Sequence, residues 1–300
     1  MKIAVPDLVS NSYFPAIAAV ELGCFRDEGL DMEVEVIFPA SRAQEVMRDG
    51  GVDLVASCAH AAVAAFPNWE GVRLLCAQSR GMYWFLVMHK DFGVTRGDLS
   101  VLRGKRIGAA PWVEMGLRQM LAAAGMAAEE NDIQIGPVPK VADVGPNFGL
   151  GAYKALEARA IDGFWANGMA TELSVLHGVG DVLIDARRGD GPPEAFGMTF
   201  ASIAASEKGL ADTPDLGPAA IRAIEKAQRL LREDVSRAEQ VGRRYFPAEE
   251  ASLIAAIIER DLPWYEAAIS PEDIAGVNHF LRSLDLLDRD VPYDEIVFQG

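Results

Sequence analysis

The chain has 300 residues, half of them hydrophobic and 24% charged, which fits one large or two ordinary globular domains and excludes a disordered chain. Its 44 acidic residues against 28 basic ones give a formal net charge of −16. That balance argues against nucleic acid as a partner, because a phosphate backbone needs a basic face.

The first strand is expected at residues 2–5, followed by a loop from Pro6 to Ser12 and a helix over 13–22 closed by Gly23. Glu33–Phe38 reads as a strand, Ala43–Arg48 as a short helix stopped by Gly50-Gly51, and Leu54–Ser57 as a strand leading into a helix through 60–66. Strands follow at Val72–Gln78 and Tyr83–His89. Next come a strand at 105–109, a loop at Pro111–Glu114 and a helix over Met115–Ala124 closed by Gly125. Gly189–Pro193 (GDGPP) is a turn-rich break, and after residue 217 the pattern is wholly helical, over 218–233, 235–245, 249–260 and 271–284. Ser270-Pro271-Glu272-Asp273 is a helix start, with a capping hydroxyl followed by acids in the first turn. The densest basic run, from Arg222 to Arg244, is interleaved with Glu225, Glu233, Asp234 and Glu239 and reads as a solvated helix face.

A plan repeats within this series. Residues 2–23 and 105–125 share strand, proline-containing loop, alanine-rich helix and glycine. EVMRDGGVDLVASCAH at 45–60 and ALEARAIDGFWANG at 155–168 share a short helix, a turn, an Ile/Val-Asp pair, an apolar strand and a small polar loop. The expected fold is α/β with two lobes on one plan, each a mainly parallel sheet flanked by helices. The chain crosses between lobes at Met82–His89 and Gly197–Ala204, uninterrupted apolar runs that make a hinge of two crossing strands. The expected boundaries are 1–85 with 201–300 for lobe one, including the C-terminal helices, and 86–200 for lobe two, with a ligand cleft between them. Asp53 and Asp162, at matched positions before strands, read as turn-forming carboxylates.

Ligands of open parallel α/β sheets bind beyond the carboxyl ends of the strands, where loops lead into helices. That rule selects Ser10, Asn11, Ser12 and Tyr13, Ser41 and Arg42, and Ser57, Cys58 and His60 in lobe one. In lobe two it selects Trp112, Glu114, Trp165 and Asn167, with Arg80 just before the first crossing. Hydroxyls and amides at helix starts, with aromatic rings to cover an apolar ligand face, suit a binding cleft. Arg42 reads as a solvated helix residue.

The segments SNSYFPAIAAVELGCFRDEGLDMEVEV (10–36), GGVDLVASCAH (50–60), DLSVLRGKRIGAA (98–110), ALEARAIDGFWAN (155–167) and VPYDEI (291–296) together resemble one family. It is the family of ABC-transporter substrate-binding proteins related to the sulfonate, taurine and nitrate binders and to the NMT1/THI5-like group. The resemblance implies a type II periplasmic-binding-protein fold, a small-molecule ligand, an ABC-transporter permease as partner and a periplasmic location. The chain departs from the family at Trp112–Met115, where small or hydroxyl residues are usual. Glu114 there either caps its helix or accepts from a ligand N–H or amine, which disfavours sulfonate and nitrate.

Residues expected to line the site are Asn11, Ser12, Tyr13, Ser57, Cys58, His60, Arg80, Trp112, Glu114, Trp165 and Asn167; none is expected to be catalytic. The cysteines Cys24, Cys58 and Cys76 form no disulfide or zinc pattern and read as buried small hydrophobes, and no cofactor or metal is expected. No apolar run approaches the roughly 20 residues that span a bilayer, and no export signal precedes Ile3-Ala4-Val5. The alternative function is therefore a cytoplasmic enzyme or sensor on the same fold, a lyase or hydrolase or a pyrimidine-metabolism type. It would act on a small aromatic or heterocyclic compound, with His60 beside Cys58 as general base.

Overall fold

Short runs rich in valine, isoleucine and alanine, each closed by a glycine, proline or polar turn, form the strands in a computed structural model that describes residues 1–145 and 147–300. They are β1 (Lys2–Val5), β2 (Glu33–Val36), β3 (Leu54–Cys58), β4 (Val72–Ser79), β5 (Phe85–His89), β6 (Arg106–Ala109), β7 (Gln134–Gly136), β8 (Gly163–Ala166), β9 (Gly180–Asp185) and β10 (Ala201–Ser206). They make two five-stranded sheets, ordered β2-β1-β3-β10-β4 and β7-β6-β8-β5-β9. The two orders are the same plan written twice. In each sheet four strands share one direction, and β10 or β5 runs against its two neighbours. The α/β expectation of mainly parallel sheets flanked by helices holds.

The chain divides into two compact units, Met1–Gly81 with Thr199–Gly300, and Met82–Met198. The reversed strand of each sheet lies just after a passage from one unit to the other. The passages themselves are not strands, because their backbone groups bond elsewhere than in a ladder. Arg80 N–H donates to the Trp264 carbonyl and Met82 N–H to the Phe196 carbonyl, so regular pairing begins only at Phe85. Residues 193–198 form a tight helical turn, and β10 begins at Ala201.

The repeat extends to single hydrogen bonds. Asp53 Oδ2 accepts from the Lys2 N–H at 2.7 Å and Asp162 Oδ2 accepts from the Arg106 N–H at 2.8 Å, so the same carboxylate fastens the first residue of β1 and of β6. Asp53 and Asp162 N–H groups return the favour to the Lys2 and Arg106 carbonyls. Burial works to raise the Asp162 carboxyl, yet the Arg106 side chain and backbone N–H hold it below the usual range.

Helices cover both sheets. In the second unit Val87, Phe164 and Ala166 pack on Ala152, Ala155, Leu156 and Ala170 from the helices Phe148–Glu157 and Gly168–Leu176. Burial of such side chains contributes about 1.5–3 kcal/mol for each of the larger ones. Gly163 is required at its place in β8, since a Cβ there would lie 2.4 Å from Met88 Sδ and 2.6 Å from the Val87 carbonyl oxygen. In the first unit the helix Leu216–Glu233 lies against Phe14–Glu21 and Cys24–Asp27. Its basic residues pair with acids across that contact, Arg222 with Glu28 and Lys226 with Asp27. Pro271–Ser283 begins with a complete capping box between Ser270 and Asp273. Residues 59–64 form a 3-10 helix where an α-helix over 60–66 is expected, because Pro67 ends the run before an α-helical nucleus can extend.

Candidate ligand-binding site

With four strands of each sheet parallel, every candidate loop lies at the carboxyl-end edge of its own sheet. In the first unit these are the loops after β1, β2, β3 and β4. Their side chains divide into those engaged by the protein and those that are not. Asn11 Nδ2 donates to Asp261 Oδ2, and the Asn11 carbonyl accepts from the Tyr265 hydroxyl. Ser57 Oγ accepts from Gln44 Nε2 at 3.1 Å and reaches the Cys58 carbonyl at 3.4 Å. His60 is wholly buried, with Nδ1 2.9 Å from Thr199 Oγ1 and its ring edge-on to Phe280 at 5.2 Å. Tyr13 is buried and stands at the start of the helix Phe14–Glu21. Arg80 pairs with Glu266 (3.4 Å) and Asp273 (3.5 Å). Arg42 is exposed and pairs with Glu45, as a solvated helix residue does.

Ser10 and Ser12 differ. Both are buried, and neither hydroxyl has a hydrogen-bond partner. Buried hydroxyls in folded proteins are nearly always bonded, so two orphans flanking one residue in a strand-end loop call for a partner from outside the chain.

The second unit presents Trp112, Glu114, Trp165 and Asn167 on neighbouring strand ends, for Ala109 in β6 stands opposite Trp165 in β8. Trp112 begins the helix Val113–Ala123 with φ +70°, a conformation that an L side chain adopts only under strain. The Glu114 N–H bonds back to the Ala110 carbonyl at 3.0 Å, so the carboxyl projects from the first helical turn. Its Oε2 is buried without a partner, and burial pushes its pKa up, against the opposing pull of its own and Trp112's N–H groups and of Arg118. Trp165 is fully buried, and its indole N–H is likewise without a partner. Asn167 has a structural task, its Oδ1 accepting from the Ala170 N–H (3.1 Å) to cap Gly168–Leu176.

Sequence reasoning missed three residues on this edge. Tyr83 and Trp84 precede the reversed strand β5 with their rings tilted together at 4.7 Å between centres, and Trp84 is in turn 6.1 Å from Trp165. Arg187 follows β9, nearly buried, with its guanidinium 5.6 Å from the Tyr83 ring centre. The strand-end rule would have found Arg187 had GDVLID been read as a strand.

Among the described residues no cluster of three or more His, Cys, Asp or Glu side chains is arranged to hold a metal ion. The three cysteines are buried and free, and burial raises the thiols of Cys24 and Cys76. No described helix is long and apolar enough to cross a membrane.

Comparison with known proteins agrees with this architecture. A search of curated protein sequences finds no match. Among solved structures the chain is similar to the alkanesulfonate-binding protein SsuA from Xanthomonas axonopodis pv. citri bound to MOPS, at 14% identity and a TM-score of 0.72, covering 100% of this chain and 98% of that one. It is similar to the periplasmic aliphatic sulphonate binding protein SsuA from Escherichia coli, at 14% identity and a TM-score of 0.72, covering 100% and 92%. It is also similar to the periplasmic nitrate-binding protein NrtA from Synechocystis PCC 6803, at 15% identity and a TM-score of 0.70, covering 98% and 83%. Likeness at such identities shows a shared fold, that of the periplasmic binding proteins. The family model described as NMT1/THI5 like matches residues 10–238, more than half of the sequence, and the chain therefore belongs to the NMT1/THI5-like family.

Proposed function

We propose that this protein binds a small organic solute through its strand-end loops and delivers it to an ABC importer, whose permease is its protein partner, on the periplasmic side of the membrane. The observation that carries this reading is that, of the buried polar side-chain atoms without a partner among the described residues, Ser10 Oγ, Ser12 Oγ, Glu114 Oε2 and Trp165 Nε1 stand on the strand-end edges, while others such as Trp69 Nε1 and Asn278 Oδ1 lie elsewhere. All four stand at carboxyl-end loops or strand ends, where α/β sheets hold ligands, and each leaves a desolvation cost that a solute hydrogen bond offsets.

Glu114 gives the solute its chemistry. The similar proteins are named for sulfonate and nitrate, but a buried carboxyl at a helix start repels an anion and accepts from an N–H or ammonium group. The mutually tilted rings of Tyr83, Trp84 and Trp165 form an aromatic cluster in the same unit. We therefore assign the solute to the amines or N–H-bearing compounds. The enzymatic reading loses its base, since His60 is committed to Thr199 and Phe280 inside the first unit.

A thermal-shift screen of amines, pyrimidines, aromatic acids, sulfonates and inorganic anions, with mass spectrometry of each hit after overnight incubation, tests this. A melting temperature that rises with concentration of an amine recovered intact supports the binder. A hit that is consumed makes the protein an enzyme, and a panel in which only sulfonates act removes the role given to Glu114.

A further inference from the structure

The loop after β1 is held in place from the far end of the chain. Locally, Asp7 Oδ1 accepts from the Val9 N–H at 3.0 Å. Asn11 is then fastened twice, its side chain to Asp261 and its carbonyl to the Tyr265 hydroxyl, about 250 residues away in sequence. The hydroxyls on either side of it, on Ser10 and Ser12, are buried and without partners. Alternate residues thus do different things: Asn11 ties the loop down, and its neighbours keep their hydrogen-bonding capacity.

The tie belongs to a strap. Asp261 ends the helix Ala248–Asp261, and the chain then runs through the turn Leu262–Trp264 to Ala267. The strap is pinned to the end of β4 as well, with the Ala77 N–H donating to the Ala267 carbonyl at 2.9 Å and the Arg80 N–H to the Trp264 carbonyl at 2.8 Å. Arg80 also pairs with Glu266. Asp261 is buried to within 2% of its surface, and Tyr265 entirely. Asp261 gives Asn11 Nδ2 a buried acceptor that an apolar residue of the same size would not supply, and losing that bond would cost the desolvation of the amide. The arrangement makes sense where the orientation of the loop matters.

We propose that residues 261–267 are a positioning element of the solute site, with Asp261 and Tyr265 fixing the loop so that Ser10 and Ser12 hydroxyls are ordered before the solute arrives. The proposal rests on the solute-binding reading above. It names residues beyond the stretch 10–238 that the family model matches. Ordering a loop in advance removes that cost from binding, so loss of the strap's bonds weakens affinity more than it weakens the fold.

The test uses the full chain with Tyr265→Phe, which deletes one hydroxyl, and with Asp261→Ala against Asp261→Asn, which keeps an oxygen for Asn11. Hydrogen exchange followed by mass spectrometry reads the amides of residues 7–13, and calorimetry reads the dissociation constant of benzylamine. Tyr265→Phe and Asp261→Ala are expected to speed exchange in 7–13 while the sheet amides of the first unit stay protected, and to weaken benzylamine about tenfold. Asp261→Asn is expected to restore both. Unchanged exchange in 7–13 overturns the proposal, and so does faster exchange with an unchanged dissociation constant. If benzylamine does not bind the unsubstituted protein, the assignment to amines fails, and methanesulfonate then takes its place in the calorimetry, with the same outcomes for the strap.

Discussion

Glu114→Gln isolates the charge from the shape of the side chain that defines the proposed solute. Glutamine fills the same volume and keeps an oxygen at the helix start, so no cavity opens and the change is confined to charge. In the protein the carboxyl is half-buried with Oε2 sealed from solvent and unbonded, and burial raises its pKa. A charge-assisted hydrogen bond in such a place is worth about 1.5–3 kcal/mol, which makes the expected loss of amine affinity roughly 10- to 150-fold. Calorimetric titration of benzylamine into both proteins measures it. A dissociation constant within about twofold of the original would put Glu114 outside the site and withdraw the amine assignment.

The same variant has a pH signature whose sign is fixed by the direction of the shift. A carboxyl whose folded pKa is raised holds its proton longer in the folded state than in the unfolded chain. Its contribution to stability is full below the ordinary glutamate value and is lost as pH rises through the raised one. Binding of an ammonium needs the opposite charge state, so affinity is expected to improve as pH rises across that window and then to level off. Glu114→Gln removes this pH dependence. Persistence of the same slope in the variant would assign it to another group, Asp185 being the nearest in kind, since burial raises its carboxyl too.

Glu114→Ser replaces the carboxyl with a neutral hydroxyl that can donate to an anion, and should move the preference from benzylamine toward methanesulfonate; the thermal-shift ranking of the two reads it. Gly163→Ala forces a Cβ against the Val87 carbonyl and Met88, and overpacking of that kind costs about 1–3 kcal/mol, seen as a lower denaturation midpoint. Asp53→Ala and Asp162→Ala each remove the acceptor for the first N–H of a central strand, costing about 1 kcal/mol or more, and Asp162→Ala the more because Arg106 also loses its partner. The two belong to different units, so the double variant should show the sum in a denaturant titration, and a large departure would mean the units do not share the plan independently.

What the sequence disclosed and what it hid follow from the range over which each signal acts. The doubled plan was legible because it rests on local chemistry repeated at an interval: the Asp before β3 and β8, the glycine after each first helix, the proline-bearing loop after β1 and β6. The C-terminal helices were legible from caps and periodicity, with Ser270 and Asp273 forming the capping box that their spacing announces. The strand β9 was missed because Gly180 and Asp181 dilute its apolar run, and Arg187 was missed with it. The crossing segments are strands over Phe85–His89 and from Ala201 onward, as their apolar runs announce, but apolar character records burial and not pairing, and Met82–Trp84 are buried without joining a ladder. The ties from Asn11 to Asp261 and Tyr265 have no local signature at all. Nothing in a window of twenty residues links positions so far apart.

The two units also show where a shared plan stops and a particular solute begins. β1 and β6 occupy the same place in their sheets, receive the same aspartate bond at their first residue, and lead into helices, through residues 6–13 after β1 and the shorter 110–112 after β6. Those loops differ in chemistry. After β1 the unbonded groups are two neutral hydroxyls; after β6 the unbonded group is a carboxyl, set one strand away from an unbonded indole N–H. Equivalent backbone with unlike side chains leaves each unit a strand-end loop of its own chemistry, donor and acceptor hydroxyls in the first and a carboxyl in the second.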